Sequence, residues 1–205
     1  IEWIDTSPGA SYTTPAVGSL TDDDGDGDVD EDDLPDVVVV GTSGLVTAVH
    51  GDGTGPIWSY NIASAEPSAA AIGDLDNDGR PDVVVTGSNG FFAFRGDTGA
   101  LMWTNPYTSL GGTGICGGVS IYDLDGDGQV EVVQGATILN GIDGSTRGEG
   151  SFGRGSGYPG GTYAGFGVAA DIDQDGDLEV VVGNALYDSY GNTIWHNGQP
   201  DGFVA

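Results

Sequence analysis

Short runs of valine, each entered through an acidic residue, recur along the chain as Asp36-Val-Val-Val-Val, Asp82-Val-Val-Val, Glu131-Val-Val-Gln and Glu179-Val-Val-Val. These junctions follow one another every 46 to 49 residues, so the chain is built from four copies of one unit. Runs that are apolar at every position, rather than at alternate ones, fit strands covered on both faces. In the second copy Pro67-Ser-Ala-Ala-Ala-Ile-Gly73 is small and apolar, Val83 to Thr86 reads as a buried strand, Phe91-Phe-Ala-Phe94 as another, and Ala100-Leu-Met-Trp103 as the last. Between them stand turns rich in Gly, Asp and Asn: the acidic stretch from Asp74, Gly87-Ser-Asn-Gly90 and Arg95-Gly-Asp-Thr-Gly99. Four short strands punctuated in this way predict an antiparallel meander. No window carries apolar residues at i, i+3, i+4 and i+7, so no helix is predicted.

The other copies follow the same plan. The first has Pro15 to Gly18, Val37 to Val40, Leu45 to Val49 and Ile57-Trp58; the fourth has Phe166 to Ala170, Val180 to Val182, Ala185 to Tyr187 and Ile194-Trp195. The third is degenerate, with Ile138-Leu139 in place but Phe152 about where a tryptophan is expected. A period of about 40 to 50 residues carrying four strands predicts β-propeller blades rather than a sandwich. Ala69 to Ala71, Gly117-Gly118 and Ala169-Ala170 suit a crowded innermost strand, and Trp58, Trp103 and Trp195 suit an outermost strand that fills the widening gap between blades.

The expected fold is therefore all-β: a β-propeller, or a segment of one, with four-stranded antiparallel blades and acidic loops between the first two strands. One repeat domain over 1–205 is expected, with blades near 13–62, 63–108, 109–152 and 161–198. Partial strands at 1–5 and 202–205 are expected to continue into further blades or to pair with another molecule.

Charge narrows the partners. The chain carries 32 Asp and Glu against 4 Arg and no Lys, a formal charge of −28, which is the wrong sign for tracking phosphates or an anionic membrane surface. No apolar run reaches the length of a membrane span, so neither nucleic-acid binding nor membrane insertion is expected. Cys116 is the only cysteine; it excludes an internal disulfide and is expected to be a small buried side chain.

The acid is concentrated: 23 of the 32 carboxylates lie in the four turns that precede the valine runs. Three turns share the formula D-x-D-x-D-G-x-x-[DE]: Asp74, Asp76, Asp78, Gly79 and Asp82; Asp123, Asp125, Asp127, Gly128 and Glu131; Asp171, Asp173, Asp175, Gly176 and Glu179. Alternate carboxylates at positions 1, 3 and 5 can converge on one point. Gly at position 6 permits a reversal, position 7 (Arg80, Gln129, Asp177) offers a backbone carbonyl, and position 9 closes the shell. Hard oxygen donors in a flexible loop describe Ca²⁺ better than Zn²⁺ or copper. Two carboxylates about 4 Å apart repel by about 4 kcal/mol at an effective dielectric near 20, so each cluster calls for a cation. An EF-hand requires a bidentate Glu at position 12, where these loops have Val85, Gln134 and Val182.

The first turn, 21–36, is longer. Asp22, Asp24, Asp26, Asp28, Asp30 and Asp33 fall at positions 1, 3, 5, 7, 9 and 12, which allows one ion in a nearly complete EF-type shell, or two. Three or four Ca²⁺ ions are expected in all, with room for more in this first loop.

The units resemble FG-GAP/VCBS-type repeats, the calcium-loop blades of integrin α-subunit propellers and of many secreted bacterial proteins. Phe166-Gly167, the loop from Asp171 to Glu179 and Gly183-Asn184-Ala185 carry the likeness, with tighter spacing after Phe-Gly and Asn-Ala in place of Ala-Pro. The hairpins from Gly51 to Trp58 and from Gly96 to Trp103 resemble the outer hairpins of quinoprotein-like propellers. The resemblance implies Ca²⁺ between strands and an extracellular adhesive or scaffold role.

Nothing else is poised for chemistry. His50 and His196 are the only histidines, and neither has a second base or nucleophile recurring nearby. Arg95-Gly96-Asp97 spells an integrin-binding tripeptide, but Gly51-Asp52 fills the same hairpin of the first unit, so the hairpin reading is preferred. The Gly-rich stretch 148–161, with Phe152, Arg154 and Tyr158, reads as a linker, with a binding loop as the sharper alternative. The expected function is a non-enzymatic calcium-binding propeller module, secreted or at the cell surface, acting in adhesion, ligand binding or assembly. Its expected partners are a protein or carbohydrate ligand, or a second copy through open sheet edges. The propeller of a polysaccharide-active enzyme and a structural filament subunit are the alternatives.

Overall fold

Each unit closes its own hydrogen bonds in a meander, so burial has to come from packing one unit against the next. The computed structural model describes residues 11, 13–64, 68–106, 118–152 and 166–198. Cys116, most of the Gly-rich stretch and both terminal strand segments lie outside them. Among the described residues there are sixteen strands and no helix. They form four four-stranded antiparallel sheets with neighbours in chain order. The first sheet holds β1 (Ala16–Gly18), β2 (Asp36–Val40), β3 (Leu45–Val49) and β4 (Pro56–Asn61); the second holds β5 (Ala71–Gly73), β6 (Asp82–Gly87), β7 (Gly90–Arg95) and β8 (Leu101–Asn105). The third holds β9 (Ser120–Tyr122), β10 (Glu131–Gln134), β11 (Thr137–Asn140) and β12 (Thr146–Glu149); the fourth holds β13 (Gly167–Ala170), β14 (Glu179–Val182), β15 (Ala185–Tyr187) and β16 (Thr193–His196). These are propeller blades.

The cores lie between sheets, which explains the uninterrupted valine runs. Val83 and Val85 face the first blade, packing with Val38, Val40, Trp58 and Leu20, while Val84 faces the third with Val132 and Leu139. In the third blade Val132 looks back and Val133 looks forward to Val180, Val182 and Tyr187. Strand side chains alternate between faces, and here both faces are interior. The first strands of successive blades touch, and small residues make that approach feasible. A Cβ on Gly18 would lie 3.3 Å from Ile72, and one on Gly73 would lie 3.1 Å from Ile121.

The outer strands obey a matched rule. Trp58 of the first blade donates its Nε1 proton to the Gly96 carbonyl of the second at 2.6 Å, and Trp103 of the second donates to Gly141 of the third at 2.7 Å. Beneath each ring lies a glycine, Gly99 or Gly144, where a Cβ would come within 2.6 and 2.3 Å of the indole. The third blade breaks the rule. Ladder register puts Gly148, not Phe152, in the tryptophan's place, opposite Ile138 where the first two blades have Ala48 and Ala93. The aromatic comes instead from the fourth blade: Tyr187 is fully buried, its hydroxyl bonds Phe152 N and O at 2.6 Å, and it lies over Gly150. Phe152 stacks on His196, with centroids 4.0 Å apart. Trp195 does not fill a gap; it is 54% exposed, with Val168, Ile172 and Val181 on the uncovered fourth blade.

Gly126 and Gly144 share a φ of +68°, but only the former has open space around its Cβ position. Both Gly→Ala changes impose a left-handed penalty of about 1–2 kcal/mol. Gly144→Ala is expected to cost about 1–3 kcal/mol more through the clash with Trp103, read as the difference between the two urea midpoints.

Candidate metal centres

Each blade places its acidic loop in the same position, between its first and second strands. The loops start from one backbone device. In three loops the apolar residue at position 2 donates its N–H to the closing acid, Leu75 to Asp82 at 3.2 Å, Leu124 to Glu131 at 2.9 Å and Ile172 to Glu179 at 2.8 Å; in the first blade Leu20, two residues before Asp22, does the same to Asp36 at 3.1 Å. Asp82, Glu131 and Asp36 are buried almost completely, and Glu179 nearly so. The same residue then turns its side chain between blades, where Leu20, Leu75 and Leu124 are buried.

The acid-rich arc is folded by its own carboxylates. Asp74 accepts from Gly79 N at 2.8 Å and Asp123 from Gly128 N at 3.1 Å, five residues on in each case. Position 4 takes a left-handed conformation in every loop (Asn77, Gly126, Gln174 and Gly25), and so does the glycine at position 6 (Gly79, Gly128, Gly176 and Gly27). This repeated conformation brings carboxylate oxygens to within 4.8 Å of one another in four groups: Asp74, Asp76 and Asp78; Asp123, Asp125 and Asp127; Asp171, Asp173 and Glu179; Asp22, Asp24 and Asp33. Asp175 and Asp177 stay outside the fourth-blade group. Asp82 and Glu131 stand behind theirs as buried buckles. Arg80 and Gln129 place their N–H groups on Asp78 and Asp127 at 2.9 and 2.7 Å.

The first loop turns out to be nested. Leu20 and Asp36 make the blade's own buckle, reinforced by Thr21 Oγ1 at 3.1 Å and Gly51 N at 3.2 Å on Asp36. Inside it, Asp22 repeats the arc by accepting from Gly27 N at 3.1 Å. Asp33, at position 12 from Asp22, is the inner closing acid: it accepts Asp23 N at 2.6 Å and Asp30 N at 2.9 Å, which hold its carboxyl below the usual range. Asp26 and Asp28 remain exposed and outside the group. Sequence reasoning found the loop but missed that the blade's own closing acid, Asp36, is a second and separate buckle; Leu20, sixteen residues before it, was the available signal.

The donor chemistry fits a hard divalent cation. Every grouped side chain offers carboxylate oxygen, and the buried Asp82 Oδ1, Asp123 Oδ1 and Asp125 Oδ1 have no hydrogen-bond partner. Orphaned anionic oxygen away from water is costly unless a cation meets it. In two loops an arginine also approaches. Arg95 grips Asp76 through both nitrogens at 3.0 and 2.6 Å, reaches Asp78 at 2.8 Å and lies 3.5 Å from Asp82. Arg147 bonds Glu131 at 2.5 Å and also Asp125, with Tyr190 packed on its guanidinium. Both histidines are engaged structurally: His50 lies 3.6 Å from Asp36, and His196 accepts Gly198 N at 3.1 Å.

The model of the FG-GAP-like repeat matches residues 28–85 and 74–133. No curated protein matches the chain. Among solved structures, the chain is similar to the biofilm matrix protein Bap1 of V. cholerae, at 24% identity and TM-score 0.69, over 91% of this chain and 30% of that one. It is similar to the rhamnogalacturonan lyase PL11 of Bacillus licheniformis, at 19% identity and TM-score 0.61, over 91% of this chain and 42% of that one. BamB from Moraxella catarrhalis aligns at 17% identity and TM-score 0.54, over 88% and 47%. The chain thus spans less than half the length of each, and the likeness is one of fold.

Burial pushes Asp82 up to about 7, against the Leu75 N–H and Arg95, with Asp76 and Asp78 adding to the rise; Glu131 is raised in the same direction by burial. An acid raised in the folded state stabilises below its unfolded pKa and loses that contribution as pH climbs through its folded value. The chelated protein is therefore expected to melt lower as pH rises from about 4 to about 7, and Asp82→Asn to flatten part of that slope in thermal melts.

Proposed function

As this chain belongs to the FG-GAP-like repeat family, we propose that it is a non-enzymatic, calcium-binding propeller module of an extracellular or cell-surface protein, acting in adhesion or assembly. The observation that carries this reading is the recurrence of a folded carboxylate cluster at the same edge of four consecutive blades. The residues suited to Ca²⁺ are Asp22, Asp24 and Asp33; Asp74, Asp76 and Asp78; Asp123, Asp125 and Asp127; and Asp171, Asp173 and Glu179. A bound ion supplies positive charge that draws the arc together. Because the closing acid and the apolar residue at the loop's entrance belong to the same loop, a tightened arc also tightens the contact between blades. Extracellular Ca²⁺ modules work at Kd values of about 10⁻⁴–10⁻³ M, which suits exposed, self-folded loops such as these.

The partners follow from the surfaces. The uncovered face of the fourth blade, with Val168, Ile172, Val181 and Trp195 exposed, is the counterpart of faces that the first three blades bury. We assign it to protein contact, by a further blade or a second copy. The charge of −28 stands against nucleic acid, and no helix among the described residues is long and apolar enough to cross a membrane. A non-enzymatic role is supported by the structural engagement of both histidines, His50 beside Asp36 and His196 stacked on Phe152. The name of one structural neighbour, a biofilm matrix protein, agrees with an extracellular scaffold.

Differential scanning calorimetry in Ca²⁺ and in excess EDTA tests the reading. With each site contributing about 1.4 kcal/mol at tenfold excess, chelation is expected to lower the melting temperature by on the order of 10 °C. An unchanged melt overturns the calcium role. Incubation with rhamnogalacturonan in Ca²⁺ is expected to leave the polymer length unchanged; depolymerisation would favour the enzyme alternative.

A further inference from the structure

The four acidic loops are not equivalent, and what separates them is the chain's own positive charge. Of the three arginines among the described residues, two are inserted into acidic loops from the same blade. Arg95, at the end of β7, makes a fork with Asp76 and also reaches Asp78 and Asp82. Arg147, from β12, joins Asp125 to Glu131 and is only 10% exposed. The two come from different strands and reach the same place, the space between the arc and the closing acid.

The ladders show what the other blades have there. The Arg95 position, paired with the closing acid, is Asp188 in the fourth blade, and the bulged outer-strand position of Arg147 is Ile194. Among the described residues no arginine reaches the fourth loop, and its Glu179 joins Asp171 and Asp173 in the cluster instead of standing behind it. In the first blade, Arg80 meets the inner loop only at the Gly27 carbonyl, 3.5 Å away.

We propose that Arg95 and Arg147 are tethered counter-cations. They hold the second and third loops folded without metal and compete there with a divalent ion, whereas the first and fourth loops depend on the ion alone. A guanidinium that grips a carboxylate with two parallel bonds neutralises it and fixes its direction. An ion entering the second loop has to share Asp76 and Asp78 with Arg95 or displace it; one entering the fourth meets no such rival among the described residues. The chain thus carries two classes of site: two that order with calcium, and two whose order persists as calcium falls. The inference rests on reading the loops as Ca²⁺ sites.

The test is calorimetric titration of the whole chain with CaCl₂, paired with melts in EDTA and in saturating Ca²⁺, for the wild type, R95Q, R147Q and R95K. Wild-type binding in at least two affinity classes is expected. R95Q and R147Q are each expected to tighten one weak site by about tenfold or more, because a competing unit charge is removed from the loop. Each is also expected to melt lower than wild type in EDTA while matching it closely in saturating Ca²⁺, and R95K to fall between. A residue that merely packs would lower both melts and tighten nothing, and that result overturns the proposal. So does unchanged or weakened affinity in both Gln variants. Absence of any Ca²⁺ binding by the wild type overturns the calcium reading itself, a failure distinct from two site classes that ignore the arginines.

Discussion

A single hydrogen bond, from the backbone of an apolar residue at the loop's entrance to the acid that opens the valine strand, ties the whole architecture together. It recurs as Leu20 to Asp36, Leu75 to Asp82, Leu124 to Glu131 and Ile172 to Glu179. The bond satisfies an N–H that burial would otherwise strand, and it commits a carboxylate to the interior. It also aims the apolar side chain of the same residue at the next blade. Loop conformation, blade integrity and contact between blades are thus one structural event. That coupling is why arcs rich in exposed acid, so unfavourable in isolation, are anchored by a closing carboxylate at a deeply buried junction of the fold.

Charge is then managed in three ways within one chain. Backbone N–H groups absorb part of it, as on Asp33, which lies below the usual carboxylate range. Arginine absorbs part, in the second and third blades. That share is incomplete, since Asp82 Oδ1, Asp123 Oδ1 and Asp125 Oδ1 of those same blades have no hydrogen-bond partner, and the exposed clusters of the first and fourth loops are left for an external cation. The raised Asp82 shows the balance there: even with Arg95 beside it, burial and neighbouring acids outweigh the favourable contacts.

Much of this was legible in the sequence. The repeat, the four strands per unit and the placement of the acidic loops follow from the spacing of Asp36, Asp82, Glu131 and Glu179, because a strand buried on both faces must read as an unbroken apolar run. The matched tryptophans of the first two blades were legible too. What escaped was anything decided by long-range partners. Phe152 lies near the expected tryptophan position in sequence, but the ladder register, the same as in the first two blades, places Gly148 there, and Tyr187 from the next blade takes over the filling. The convergence of Arg95 and Arg147 on equivalent sites from non-equivalent strands has no local signature, since nothing in their neighbours distinguishes them from surface residues. The nested first loop is intermediate: its spacing was visible, but which acid closes it depends on where the arc folds.

The alternation of Trp-over-Gly at two junctions with Tyr187 at the third has an evolutionary corollary. Unequal crossing-over is the easiest way to lengthen an array of similar units, yet these blades are not interchangeable parts. The third blade offers no indole to its successor, and the fourth presents Ser189 where the second and third present Gly96 and Gly141. A duplication that set the second blade before the fourth would drive an indole toward Ser189 in place of a glycine, so the order of the blades is written into their seams.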